Sequence, residues 1–279
     1  MNKFKTYFKL QWRMLKKIKT RFLSVFLIIF IGTAFFAGLR ISPMVMRTST
    51  DAYLDEQNYA DLTLIPTYGA SLDDIEEIAK IDGVQKVTGA YFFDALATYR
   101  EYQDGVKVYS FQQDIQTPYI TEGKTSLSDD ECLIDPMYAN KYNIQIGDQI
   151  TLQNKQGEKT FTVQGFAKDT RQMIFYSRGT NEYGSGQSSG FIIINETPCI
   201  ELGLNQDLLN LLDVDHYYNQ LLIQVKGAKD LIVFSNEYSD LLNGVEADIN
   251  DLMDDRLNKK YESIIGDKLA LLEGPEKEY

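Results

Sequence analysis

Only one histidine, two cysteines and one tryptophan occur in 279 residues. A single histidine leaves no His-based catalytic dyad and no His-rich zinc site, so only carboxylate-based sites stay open. Two cysteines in this length exclude a disulfide-dense scaffold. Prolines number just six, and 44% of residues are hydrophobic and 24% charged, which excludes a disordered, collagen-like or low-complexity chain. Acids are missing altogether from residues 1–21, which carry eight cations: Lys3, Lys5, Lys9, Arg13, Lys16, Lys17, Lys19 and Arg21. The rest then holds 20 basic against 40 acidic residues, a net charge of −20. A body so acidic is a poor nucleic-acid binder, because counterion release needs clustered cations.

Phe22–Leu39 (FLSVFLIIFIGTAFFAGL) has no charge, and twelve of its eighteen residues are Phe, Leu, Ile or Val. As a helix it is about 27 Å long, close to the ~30 Å hydrocarbon core of a bilayer. Those twelve residues favour insertion by roughly 4 to 7 kcal/mol. Ser24 and Thr33 can bond back to the helix backbone, and Arg40 can snorkel at the far end. A cleaved signal peptide fits less well: the basic region is long, the apolar run exceeds the usual length, and no A-x-A site follows. A buried core helix conflicts with the eight cations on one flank. The expected arrangement is an uncleaved anchor over 22–40, with 1–21 cytoplasmic and 41–279 extracytoplasmic by the positive-inside rule. Phe4, Phe8, Trp12, Leu15 and Ile18 recur at helical spacing among the cations, predicting a basic amphipathic helix in the headgroup layer.

The pattern then predicts a connector over 41–60, broken from the membrane helix at Pro43. A strand is expected at Asp61–Ile65 and a helix started by the capping box Ser71-Leu-Asp-Asp74 and ended before Gly83, with a new strand from Val84. Tyr91–Tyr102 and Val106–Phe111 read as a hairpin turning at Asp104-Gly105. A similar unit recurs later: a strand at Leu221–Val225, a helix over Ala228–Leu242, then Gly244 and a strand from Val245. Two such units predict one four-stranded sheet formed by 61–115 and 216–250, with 116–215 inserted as a β-rich subdomain. Within the insert, Ile150–Gln153 and Lys159–Ala167 form a hairpin about Gly157. Asp135-Pro136 opens a short helix through Lys141, and Thr180–Gly190 is a flexible polar loop. A C-terminal helix over 251–279 carries the apolar stripe Met253, Leu257, Tyr261, Ile264, Ile265, Leu269 and Leu272. The fold class is therefore α+β behind one membrane helix.

No motif carries chemistry. Gly123-Lys124-Thr125 fails as a phosphate loop, because the first glycine position holds Pro118. Gly184-Ser-Gly186 lacks the third glycine of a dinucleotide loop, having Ser189 there. Asp248, Asp251, Asp254 and Asp255 lack the calcium-loop frame and read as a solvated helix face. His216 has no ligand or base partner nearby, and no serine has an elbow or base. Cys132 and Cys199 are read as two separate buried thiols, with a bridge left open. The expected catalytic, cofactor and metal sites are none, and enzyme activity is not expected.

The order of segments resembles the N-terminal third of a MacB-like or FtsX-like ABC transporter permease. Tyr59-Ala-Asp-Leu-Thr-Leu64 resembles the first outside strand of these proteins, and Ile75–Val87 (IEEIAKIDGVQKV) their next helix and its I-x-G-V exit. Asp130-Glu-Cys-Leu-Ile-Asp135, Tyr142-Asn-Ile-Gln-Ile-Gly-Asp-Gln-Ile150 and Phe161-Thr-Val-Gln-Gly165 resemble a later passage in the same order. The resemblance spans roughly residues 10–250. It implies a porter-like α/β part with an inserted β-rich part. It further implies a non-catalytic permease of the mechanotransmission or export type, working as a dimer with a separate ATPase and acting on a lipoprotein, peptide or cell-wall enzyme. Complete permeases of this kind have three further membrane helices after the outside domain, so a truncated or single-pass version is the expectation for this chain. The rival expectation is a single-pass interaction protein that regulates a cell-wall enzyme or binds a peptide.

Overall fold

The computed structural model describes residues 3–17, 19–173, 178–212, 214 and 216–273. These fall into two units, residues 1–51 and 52–279. The first unit is helical. Helix α1 spans Lys3–Lys17. Helix α2 spans Lys19–Glu56, so its last turn, from Ala52, belongs to the second unit. The break expected at Pro43 does not occur, because the helix continues through it. Proline removes one backbone donor there without ending the helix. The expected connector is thus helical as far as Glu56.

The second unit holds two sheets. The smaller is built from β1 (Leu62–Leu64), β2 (Val84–Ala90) and β10 (Gln220–Val225), with β10 in the centre and antiparallel to both neighbours. Helix α3 (Leu72–Ile78) links β1 to β2, which makes a split β-α-β unit. Its start is the expected capping box: the Asp74 backbone N–H donates to the Ser71 hydroxyl, and Asp74 accepts from the Ser71 backbone N–H at 2.7 Å. Leu221, Ile223 and Val225 alternate along β10 toward a core shared with Ile78, Tyr238, Val245 and Ile249. Leu222, on the opposite face, packs with Ala60, Ala90 and Ile115. The expected fourth strand is absent among the described residues. Val245 instead lies inside helix α7 (Asn236–Glu273), which runs through Gly244.

The larger sheet contains β3 (Phe92–Tyr99), β4 (Tyr102–Ser110), β5 (Tyr119–Gly123), β6 (Glu131–Ile134), β7 (Gln149–Gln153), β8 (Glu158–Lys168) and β9 (Gly190–Ile194). Six of these close on themselves in the order β8-β6-β9-β4-β3-β7 and back to β8, forming a small barrel. Long β8 makes closure feasible: its first half pairs with β7 and its second half with β5. Alternate residues of every barrel strand share one core, including Ala95, Ala97, Val106, Val108, Cys132, Ile134, Ile150, Leu152, Phe161, Val163, Ile192 and Ile194. Helices α4 (Pro136–Tyr142), α5 (Glu196–Gly203) and α6 (Gln206–Leu212) complete the unit. Asp135 caps α4 as expected, accepting from the Met137 backbone N–H at 3.0 Å. The expected hairpin about Gly157 is β7–β8.

Two further expectations need correction. Strands β3 and β4, placed with the first sheet by the boundary at residue 115, belong to the barrel. Their turn is Arg100-Glu101, with Arg100 at φ +53°, and not Asp104-Gly105. The chain passes from small sheet to barrel at Tyr91 and returns just before β10, where the crossings are tied together. The Phe92 backbone N–H donates to Asn219 Oδ1 at 3.0 Å, and Asn219 Nδ2 donates to the Phe92 carbonyl at 2.7 Å. Asn219→Ala removes both bonds and is expected to cost about 1–3 kcal/mol. Thermal unfolding together with hydrogen exchange at the Phe92 amide checks this, and an unchanged midpoint with unchanged protection would contradict it.

Candidate functional site

Helix α2 is long and apolar enough to cross a membrane by length and composition. Phe22, Phe26 and Phe30 stack along one face at centroid spacings of 6.5 and 6.0 Å. The two polar residues are satisfied as expected: the Ser24 hydroxyl donates to the Thr20 carbonyl at 2.9 Å, and the Thr33 hydroxyl to the Ile29 carbonyl at 2.7 Å. On α1, Phe8 and Trp12 are exposed and stacked 6.4 Å apart. Ile18 and the side chains of Phe4 and Leu15, which complete the expected stripe, lie outside the described residues.

In the second unit, the last turn of α2 and the first half of α7 enter one core. Leu54 of α2 is buried there with Tyr238, Val245 and Ile249 of α7. Tyr238 donates its hydroxyl proton to Asp61 Oδ1 at 2.8 Å, and the Val225 backbone N–H donates to Asp61 Oδ2 at 2.8 Å. Burial raises the Asp61 carboxyl above its usual range despite these bonds. Farther along α7, Arg256 forks onto Asp73 and Asp74 at the start of α3. Burial pushes Asp74 upward, but bonds from the Ser71 backbone and hydroxyl and from Arg256 outweigh it, holding the carboxyl below its usual range.

A second cluster sits beside β8. Arg171 lies 3.9 Å from the centre of the Tyr109 ring and donates through Nε and Nη2 to Asp169 at 2.8 and 2.6 Å. Arg178 pairs with Asp135 at 2.8 Å, both nearly buried. Burial raises the Asp135 carboxyl, opposed by the Met137 N–H and by Arg178. A recess of about 240 Å³ lies against this cluster, walled by Tyr53, Met137, Met173 and Phe191. These ion pairs were missed in the sequence because Asp135 and Arg178 are distant along the chain. A local signal did exist in Asp169-Thr-Arg171, where Asp169 accepts from the Arg171 backbone N–H at 2.8 Å. A wider polar groove of about 840 Å³ lies between the β7–β8 turn and α5–α6, lined by Lys155, Gln156, Glu201, Asn205, Asp207 and Asn210 among others.

The residues weighed in the sequence do not come together. Gly123 ends β5, and Lys124 reaches Glu131 at 3.1 Å, so no helix opens there to cradle a phosphate. Cys132 and Cys199 are free, fully buried thiols, and burial pushes both upward and away from reactivity. His216 is exposed and edge-on to Tyr218. Asp248, Asp251, Asp254 and Asp255 are exposed on α7. The Thr180–Gly190 segment, expected to be flexible, is tied to the barrel: buried Asn181 donates to the Val106 carbonyl at 3.0 Å, and the Ser189 N–H donates to the Gly105 carbonyl at 2.8 Å. On the expected C-terminal stripe, Met253 packs on the small core while Tyr261 is exposed. The side chains of Ile264, Ile265, Leu269 and Leu272 lie outside the described residues. No group of three or more His, Cys, Asp or Glu placed to hold a metal occurs among the described residues.

No family model matches the chain, and no curated protein matches it. Solved structures do. The chain is similar to the extracellular domain of the noncanonic ABC-type transporter YknZ from Gram-positive bacteria, at 14% identity and a TM-score of 0.38, over 66% of this chain and 93% of that one. It is similar to the periplasmic region of MacB from Actinobacillus actinomycetemcomitans, at 10% identity and a TM-score of 0.37, over 69% and 83%. A domain of a putative permease protein from Porphyromonas gingivalis matches at 14% identity and a TM-score of 0.37, over 60% and 71%.

Proposed function

We propose that the chain is the first membrane helix and extracytoplasmic domain of an ABC permease of the mechanotransmission or export type. In this reading it is not an enzyme. It couples a partner ATPase to an extracytoplasmic lipoprotein, peptide or cell-wall enzyme, as one half of a permease dimer. The observation that carries the proposal is that α2 and α7, the two longest helices, are rooted in one α/β core through Leu54, Tyr238, Val245 and Ile249. A displacement of either helix therefore acts on the small sheet directly, because a close-packed core transmits strain instead of absorbing it. The barrel follows through the paired crossings at Phe92 and Asn219. Sign-sorted charge supports the orientation, with eight cations before the apolar stretch and a net −20 after it. The ordered motifs of the resembling permeases support the partner class. Buried thiols and carboxylates that are paired or on open helix faces suit force transmission and contact, and supply no nucleophile with its base.

The test is cross-linking of the full chain in its native membrane, followed by capture and identification of partners. An ATPase subunit bearing a phosphate-binding loop is expected among them. Capture of a cell-wall enzyme with no ATPase would overturn the permease reading in favour of a single-pass regulator.

A further inference from the structure

The recess beside β8 has features that force transmission leaves unused. Its walls are Tyr53, Met137, Met173 and Phe191, and the two methionines keep 48% and 38% of their surface exposed. Exposed methionines are adaptable apolar contacts. At about 240 Å³ the space is smaller than a site for a drug-sized ligand and suits one large apolar side chain. Arg178 is matched to Asp135 and Arg171 to Asp169. Lys168, the exposed last residue of β8, lines the recess and has no ion-pair partner among the described residues. Strand β5 runs alongside. Among the described strands it pairs only with β8, and its first residue, Tyr119, stands opposite Lys168. The Tyr119 ring meets the Tyr53 ring edge-on at 6.3 Å, so this end of β5 abuts the recess.

We propose that this corner of the barrel binds the C-terminal end of an extended polypeptide, taking an apolar last side chain into the recess and the terminal carboxylate onto Lys168. Three chemistries converge on that occupant. The open edge of β5 offers backbone donors and acceptors that an added strand satisfies. Antiparallel pairing is the more stable, and it places the C-terminal end of the added chain beside Tyr119. There the apolar walls and the ammonium stand together, matching the two parts of a terminal residue: one neutral side chain and one negative charge. The net −20 of residues 22–279 opposes a polyanion, so a ligand with a single carboxylate fits better than an acidic peptide or a nucleic acid. The bulge between Ile120 and Glu122 limits regular pairing to a few residues. This site sharpens the peptide arm of the permease reading and rests on that reading only for where the ligand comes from.

Binding is read by fluorescence anisotropy on the full chain in lipid nanodiscs. The probes are fluorescein-labelled hexapeptides ending in phenylalanine or serine, each with a free carboxylate and as the C-terminal amide. The free-acid phenylalanine peptide is expected to bind saturably, and its amide about tenfold more weakly, the usual scale for a hydrogen bond to a charged group. The serine-ended peptide should be weaker by at least about the same factor, because no apolar side chain is buried. Lys168→Gln should weaken the free acid about tenfold and leave the amide unchanged, a pattern that general loss of structure does not produce. Met137→Ser with Met173→Ser, both at half-exposed positions, should bring the phenylalanine peptide down to the serine level. Binding should slow amide exchange along β5. Equal affinity of acid and amide, no effect of Lys168→Gln on the acid, unchanged exchange along β5 or no saturable binding would overturn the proposal. So would displacement by octanoate at the concentration at which unlabelled peptide competes, which would assign the recess to free acyl carboxylates. None of these readings involves an ATPase, so failure here leaves the permease reading to its own test, and a failed ATPase capture leaves these binding curves standing.

Discussion

Phe30→Arg combined with Ile31→Arg is expected to release the chain from the membrane. Both residues sit at the middle of the apolar stretch and both are exposed on α2. Each replacement exchanges a residue worth about −0.3 to −0.6 kcal/mol for one costing roughly 2.5 to 3.5 at the helix centre, a swing of about 3–4 kcal/mol. Two swings total about 6–8 kcal/mol, against roughly 4–7 favouring insertion of the natural segment. At the centre of these ranges the sign of insertion reverses. Alkaline extraction reads the result: the natural chain stays in the membrane pellet and the double variant moves to the supernatant. Phe30→Leu with Ile31→Leu, which keeps the apolar character, should stay in the pellet. A double-arginine variant that also stays there would mean that α2 is not what holds the chain to the bilayer.

The second large effect is expected at Phe161→Ala. Phe161 is fully buried in the barrel, opposite Ile150 on β7, while its neighbour Thr162 pairs with Glu131 on β6. Both edges of β8 are thus held at this point, so the strands cannot slide inward to fill the space left. Ala95 and Ala97 share the core and are too small to take it up. Truncating a phenylalanine in such surroundings costs about 3–5 kcal/mol. For a domain of this size that corresponds to a melting temperature lower by about 6–20 °C. Circular dichroism of the full chain in detergent measures it, and a shift of only about 2 °C, the size of a surface effect, would contradict the closed barrel.

Local features were legible in the sequence where one short stretch dictates the outcome. The Ser71–Asp74 capping box, the Asp135-Pro136 helix start and the Gly157 hairpin each depend on residues within a few positions of one another. Features set by distant contacts were not. Asp104-Gly105 carries the usual composition of a tight turn, yet Gly105 lies within β4. A Cβ there would stand 2.6 Å from the Tyr183 carbonyl oxygen, so glycine serves the close approach of a later segment. Gly244 resembled a helix end before a strand, but the stripe Tyr238, Leu241, Val245, Ile249 and Leu252 packs on the small core. Burying those residues outweighs the ~1 kcal/mol that an internal glycine costs. Barrel closure was hidden for the same reason: β4 pairs in parallel with β9, and β6 with both β8 and β9, across long stretches of chain. The candidate site was half legible. The apolar stretch and the cations before it stand in the first 40 residues, whereas the shared root of α2 and α7 joins Leu54 to Ile249 and exists only in the folded chain.

The orientation of the chain across the bilayer is tested most directly by single-cysteine labelling in intact cells. Cys132 and Cys199 are buried and do not compete for reagent in the folded protein. Ser126→Cys, on an exposed segment between β5 and β6, and Gln11→Cys, on the exposed surface of α1, report the two sides. A membrane-impermeant maleimide, applied with any outer envelope opened, is predicted to label position 126 at once and position 11 only after the bilayer is permeabilised. Labelling of position 11 from outside, with position 126 protected until permeabilisation, would contradict the account.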